Sequence, residues 1–248
     1  NTFVFYKIFR WLKPQLFVDT HTSNGSDYQY TMTLITSQTD KMNPILKKYT
    51  EEKVTPYIFE KMALNQDTIA PYVNTIGRTP DTGIKDYLET PRYSTGYTNL
   101  FNCISFVSEA HMLKPYKDRV ESTISLLFAI HGFAEQNHIE ILDLKKKADR
   151  DTKSRKEFGL TFEIDTTKFK EMVFRGFEYE YVPSILTSEK RLLYKSDHPK
   201  NYNIKYFNHY KTTTLRTKPN YYLIPSQWTK VLHRLDASGV KLDTIQKD

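Results

Sequence analysis

Leu16-Phe17-Val18-Asp19-Thr20-His21-Thr22-Ser23-Asn24-Gly25-Ser26 is the stretch whose reading decides the fold. Leu16 to Val18 reads as a brief buried strand that stops at Asp19-Thr20-His21, and Thr22 to Ser26 reads as a polar loop. A buried strand whose C-terminal end opens into a polar loop is an α/β pattern, and that end is where such sheets place their chemistry. The arrangement recurs downstream, where the apolar run Cys103-Ile104-Ser105-Phe106-Val107 leads into Ser108-Glu109-Ala110-His111. Each strand end sets ionisable side chains in a partly desolvated position at the rim of a sheet. A neutral imidazole there is a good zinc ligand, and a nearby carboxylate can deprotonate a metal-bound water. Asp19 lies two residues before His21, on the same face if the strand persists, and suits a supporting contact to the imidazole. Spacing alone leaves other roles open: His21 as a hydrogen-bonded structural residue, and Glu109 in a salt bridge with Lys114 or Arg119.

Outward from these two stretches the pattern alternates. Residues 2–12 read as a short amphipathic helix that Lys13-Pro14 ends, because proline cannot continue one. Tyr28 to Ile35 alternates apolar and polar residues and predicts a half-buried strand. Residues 42–64 predict a helix interrupted near Pro56. Ala70 to Tyr97, rich in Pro, Gly, Thr and Asp, predicts a long surface loop of the kind that is often functional. A short helix over 95–101 and the strand from Cys103 follow. After Pro115 comes the longest helix, about 116–149, with Val120, Ile124, Leu127, Phe128 and Ile130 as its apolar face. Beyond Thr152 the segments Leu160–Ile164, Val173–Val182 and Leu215–Ile224 are β-like and rich in tyrosine. A helix around Trp228, Val231, Leu232 and Leu235 then leads to a strand beginning at Gly239-Val240-Lys241-Leu242.

Composition narrows the classes. With 18 Tyr and 15 Phe among 248 residues, the interior is expected to be built on large rings with polar rims. No stretch approaches the roughly 18 apolar residues that a membrane span needs. The net charge of +7 is scattered; its one dense run, Lys145-Lys146-Lys147, reads as the solvated face of a helix rather than a nucleic-acid stripe. The single cysteine, Cys103, excludes an intrachain disulfide and reads as a buried, inert thiol. Asn1-Thr-Phe-Val-Phe-Tyr-Lys shows neither a signal peptide nor an initiating Met, and the chain is expected to begin inside a longer polypeptide.

Two long runs carry a resemblance. Phe17-Val-Asp-Thr-His21-Thr-Ser-Asn-Gly-Ser-Asp-Tyr-Gln-Tyr30 is similar to the strand bearing the third zinc ligand in zinc-carboxypeptidase-like metallopeptidases. Pro91-Arg-Tyr-Ser-Thr-Gly-Tyr97-Thr-Asn-Leu-Phe-Asn-Cys-Ile-Ser-Phe-Val-Ser-Glu109-Ala-His-Met-Leu-Lys-Pro115 resembles that family's closing segment, a substrate-facing loop leading into the strand of the catalytic glutamate. The match is nearest to a large bacterial branch with extra C-terminal domains. It implies an α/β fold: residues 1–150 as the C-terminal half of a mixed-sheet catalytic domain, and 151–248 as a β-rich accessory region ending in a partial α/β unit. It implies zinc held in part by His21, with Glu109 as general base on a zinc-bound water. Tyr97 or Tyr93 is implied as the substrate-contacting tyrosine and Arg92 as an anion contact.

The family's first two zinc ligands come from an upstream His-x-x-Glu motif, which no histidine here begins, and its substrate-carboxylate arginine also lies upstream. The chain as given is therefore expected to bind zinc weakly and to hydrolyse nothing, while the full-length protein acts on a peptide or protein substrate. The resemblance favours export, to the periplasm or beyond. A partner chain or second copy is expected over the truncated sheet, and no nucleic acid. Two alternatives accompany this reading. One is a non-catalytic relative that binds peptide or glycan ends; the other is an interaction module in the tyrosine-rich region after residue 152.

Overall fold

A computed structural model describes residues 2–23 and 25–245 of the chain. Along the first part run α1 (Thr2–Leu12), β1 (Leu16–Ser23), β2 (Met32–Thr36), α2 (Pro44–Tyr49), α3 (Thr55–Leu64), β3 (Ala70–Pro71), β4 (Ile84–Lys85), α4 (Ser94–Asn99), β5 (Ile104–His111) and α5 (Tyr116–Ser154). The central sheet has the order β1-β5-β2-β3, with β1 parallel to β5, β2 antiparallel to β5 and β3 parallel to β2. The expected α/β class with a mixed sheet is present. Among the described residues no helix is long and apolar enough to cross a membrane.

Strand periodicity divides the sheet into two unlike faces. Residues opposite each other across a ladder share a face, so Leu16 and Val18, Ile104, Phe106 and Ala110, and Met32 and Leu34 all point one way. There they meet Leu46, Ile58, Met62, Leu126, Ile130 and Phe133 in the main core. Alternate residues, among them Phe17, Asp19, His21, Val107, Glu109 and Thr33, point the other way. At the Phe17 end that second face is covered by rings: Phe5, Tyr6, Phe9, Tyr97 and Phe101 pack round Phe17 and Cys103. Cys103 is the buried thiol its sequence context suggests, and burial pushes its pKa up to about 12.

The helix expected over 42–64 is bent rather than broken. Asn43 caps it by accepting from the Ile45 N–H at 3.0 Å. A single π turn, Thr50–Val54, then precedes Pro56, which has no N–H to give, and absorbs the misfit within a continuous helical path. On α5 the buried stripe is Ser122, Leu126, Ala129, Ile130, Phe133, Ile141 and Ala148. Of the apolar face expected from sequence only Ile130 belongs to it; Val120, Ile124, Leu127 and Phe128 are exposed. Tyr28 to Ile35 is likewise corrected: its strand is confined to Met32–Thr36 and is buried nearly throughout.

After α5 the chain forms β6 (Glu157–Ile164), β7 (Lys170–Pro183), β8 (Lys190–Phe207), β9 (Tyr210–Thr217) and α6 (Thr229–Ala237). β7 and β8 make a long antiparallel ribbon, and β6 pairs with β9. The strand expected to run on to Ile224 stops at Thr217, and none forms at Gly239–Leu242, so α6 has no terminal strand to complete an α/β unit. Tyr221 and Tyr222 stand exposed instead. The ribbon folds back on the first part. Phe174 and Ile204 pack with Tyr28, Tyr30, Ala70 and Ile84 in a second core, and Tyr28 bridges Gly176. β8 bulges opposite Phe177 and Glu178, next to Pro199, which cannot donate to a ladder. That bulge delivers Ser196 to Asp27, where its hydroxyl donates at 2.7 Å.

A polar seam ties the ribbon's far end. Buried Glu89 accepts from the Gln38 N–H at 3.1 Å and lies 3.4 Å from Lys41 Nζ, while the Tyr206 hydroxyl donates to Asp86. Asp86 is packed round by protein; burial, with the charge of Glu89 adding, pushes its pKa up to about 7. A raised folded-state pKa means that stability from this group is complete below the ordinary aspartate range and is lost as pH rises to about 7. Denaturation midpoints are therefore expected to fall between about pH 4 and pH 7, and Asp86→Asn to flatten that fall. Phe174→Ala is expected to cost about 3–5 kcal/mol in chemical denaturation, because it empties the centre of the second core.

Candidate functional site

Parallel pairing of β1 with β5 sets His21 directly opposite Glu109. Both lie near the C-terminal ends of their strands and on the face away from the main core. The imidazole Nδ1 is 4.0 Å from Glu109 Oε1, and Nε2 is 3.2 Å from Asp19 Oδ1. The second oxygen of Asp19 accepts from the hydroxyl of Ser94, the first residue of α4. A helix end thus holds the carboxylate that holds the ring. The His21 side chain is 52% exposed and that of Glu109 only 11%, so the pair spans the boundary between solvent and interior. Burial raises the Glu109 pKa; the His21 ring pulls it down and the Asp19 charge pushes it up again. The salt-bridge alternatives for Glu109 are not formed: Lys114 leans toward Asp27, and Arg119 donates to the Lys114 carbonyl.

An imidazole tied to one carboxylate and facing a second has the chemistry of a metal ligand with its orienting partner. Zinc needs further donors, and among the described residues no three His, Cys, Asp or Glu side chains are grouped to hold an ion.

Rings frame the pair. Tyr28 stacks on His111 at 4.1 Å and 19°, and its hydroxyl lies 3.1 Å from Ser23 Oγ. Burial raises the pKa of both Tyr28 and Tyr72, and the Glu109 charge adds to each. Edge-to-face contacts then run from Tyr72 to Tyr87 (6.1 Å) and from Tyr87 to Tyr93 (5.3 Å). Tyr93 therefore ends a chain of rings that begins at Tyr72, whose hydroxyl feels the Glu109 charge. Tyr97 does not join it: it is 5% exposed, stacked on Tyr6 at 4.2 Å, and belongs to the aromatic core. Arg92 stands exposed in the turn before α4, with no hydrogen bond or ion pair among the described residues. His111 is fully buried, with Nε2 2.8 Å from Asp27 Oδ1. Burial works against the Asp27 charge, but hydrogen bonds from His111 and Ser196 and the charge of Lys114 outweigh it and hold the carboxyl below its usual range.

Tyr72 also lines a cavity of about 510 Å³ shared with Gly25, Ser26, Asn74, Arg78 and Tyr194. The volume suits a small ligand or a substrate side chain. Sequence reading singled out neither Tyr72, Tyr87 nor Arg78. All three lie in the Ala70–Tyr97 loop, whose length alone marked it as functional.

Carboxyl-carbon NMR titration of Glu109 is expected to place its midpoint above the ordinary glutamate value. His21→Ala should move it further up, and Asp19→Asn should move it down.

Comparison with known protein families, curated proteins and solved structures returned no match, so the reading of this site stands on its own geometry.

Proposed function

We propose that the full-length protein hydrolyses peptide bonds with zinc, releasing residues from a carboxyl terminus. Residues 1–150 then form the C-terminal half of a zinc-carboxypeptidase-like domain, and 151–248 its accessory region. One observation carries the reading: His21 and Glu109, 88 positions apart, end neighbouring strands in register and face each other across 4.0 Å.

His21 would hold the metal as one ligand, its ring fixed by Asp19 and, through Asp19, by Ser94. Bound zinc supplies a Lewis acid that polarises a carbonyl and acidifies water. Glu109 does the proton work. Its partly desolvated carboxylate has a raised proton affinity, which suits it to take a proton from the attacking water and return it to the leaving amine. Arg78, exposed in the cavity that Tyr72 also lines, would offer a positive charge to a substrate carboxylate, and Tyr72, Tyr87 and Tyr93 would offer ring surface.

The test uses a chain extended upstream of Asn1. Glu109→Gln is expected to lower kcat on short peptides by about 10²–10⁴-fold while zinc content is unchanged. His21→Ala is expected to release the zinc, and Arg78→Met to raise KM. An extended protein that holds no zinc, or a Glu109→Gln variant with undiminished hydrolysis, excludes the reading and leaves a role in binding peptide or glycan ends.

A further inference from the structure

A second cavity, of about 460 Å³, opens at the other end of the same two strands, where Pro14 leads into β1 and Asn102 into β5. Its apolar wall is Phe9, Leu100 and Phe101, and its lining carries four cations, Arg10, Lys13, Lys145 and Lys153, against one carboxylate, Asp149. Two of the cations are already engaged. Lys145 pairs with Asp149 at 2.7 Å, and Arg10 lies against Gly239 and donates to the Asp236 carbonyl at 3.4 Å. Lys13 and Lys153 have no carboxylate partner among the described residues. Lys13 also sits in an unusual backbone state: φ is +47°, a left-handed residue ending α1, where glycine or asparagine is the ordinary occupant. A long cationic side chain at a position that disfavours it is the sort of local cost that accompanies function.

We infer that this cavity binds a small amphiphilic anion, a carboxylate or phosphate ester with a hydrocarbon chain or ring. The rings and Leu100 take the apolar part, and Lys13 and Lys153 take the charge. The site is separate from the His21–Glu109 pair and stands whether or not the hydrolytic reading does.

The test is calorimetric titration with octanoate, with octan-1-ol and acetate as its apolar and anionic halves. Octanoate is expected to saturate a single site, and each half-ligand to bind at least about 10-fold more weakly. The double variant Lys13→Asn/Lys153→Gln keeps a residue that tolerates the left-handed backbone, so its melting temperature should hold or rise while octanoate affinity drops at least about 10-fold. Sedimentation with phosphatidylglycerol and phosphatidylcholine vesicles separates a free ligand from a lipid headgroup; neither vesicle is expected to carry the protein down. Absent octanoate binding, equal binding of octan-1-ol, an affinity the double variant leaves unchanged, or capture by phosphatidylglycerol vesicles that the variant abolishes would each overturn the inference.

Discussion

The parallel ladder between β1 and β5 is the constraint on which the rest depends. It joins residues 88 positions apart, and its register decides which side chains share a face. Shifted by one residue, the ladder would carry Asp19 and His21 into the main core and turn Leu16 and Val18 away from it, to the opposite face. The apolar packing of Leu16, Val18, Ile104 and Phe106 against α5 therefore also positions the imidazole and the carboxylate. The core and the site are two faces of one alternation, and neither can slip without the other.

A second anchor acts beyond the strand ends. Asp27 collects His111 and Lys114 from the end of β5 and the turn after it, and Ser196 from β8, so it joins two distant parts of the chain. Its buried charge is tolerable because each oxygen accepts at least one hydrogen bond and a cation lies close. The ribbon is thereby fastened beside Glu109, and its bulge at Ser196 is part of the fastening. In this structure the tyrosine-rich region walls the cavity that Tyr72 and Arg78 line, through Tyr194, as well as adding its own sheet.

Much of this was legible in the sequence where the signal was local. The strand ends at Asp19–His21 and Glu109, the proline-limited α1, the long α5 and the β character after residue 152 all follow from periodicity and breakers. Other features rested on distant partners. The inward face of α5 is not decided by sequence, because Val120, Ile124, Leu127 and Phe128 make as good a stripe as the one that meets the sheet, and only tertiary packing chooses. β8 carries no local signal because Lys190–Phe207 is too polar for a core strand; it is held by ladder bonds to β7 and, at Tyr206 and Phe207, to β4, with Ile204 buried in the second core. Tyr97 and Tyr93 were indistinguishable in sequence, since which ring turns inward depends on α1, whose Tyr6 stacks on one of them. The contributions of Tyr72, Tyr87 and Arg78 arise from the path of an irregular loop, which carries no period to read.

The position of β1 at the margin of its sheet has one more outcome. Its outward main-chain groups have no ladder partner among the described residues, so they form a row of donors and acceptors repeating about every 6.8 Å. An extended polypeptide laid along that row would be gripped by its amides whatever its composition. Such a grip is indifferent to sequence, because every residue but proline offers the same pair of main-chain groups.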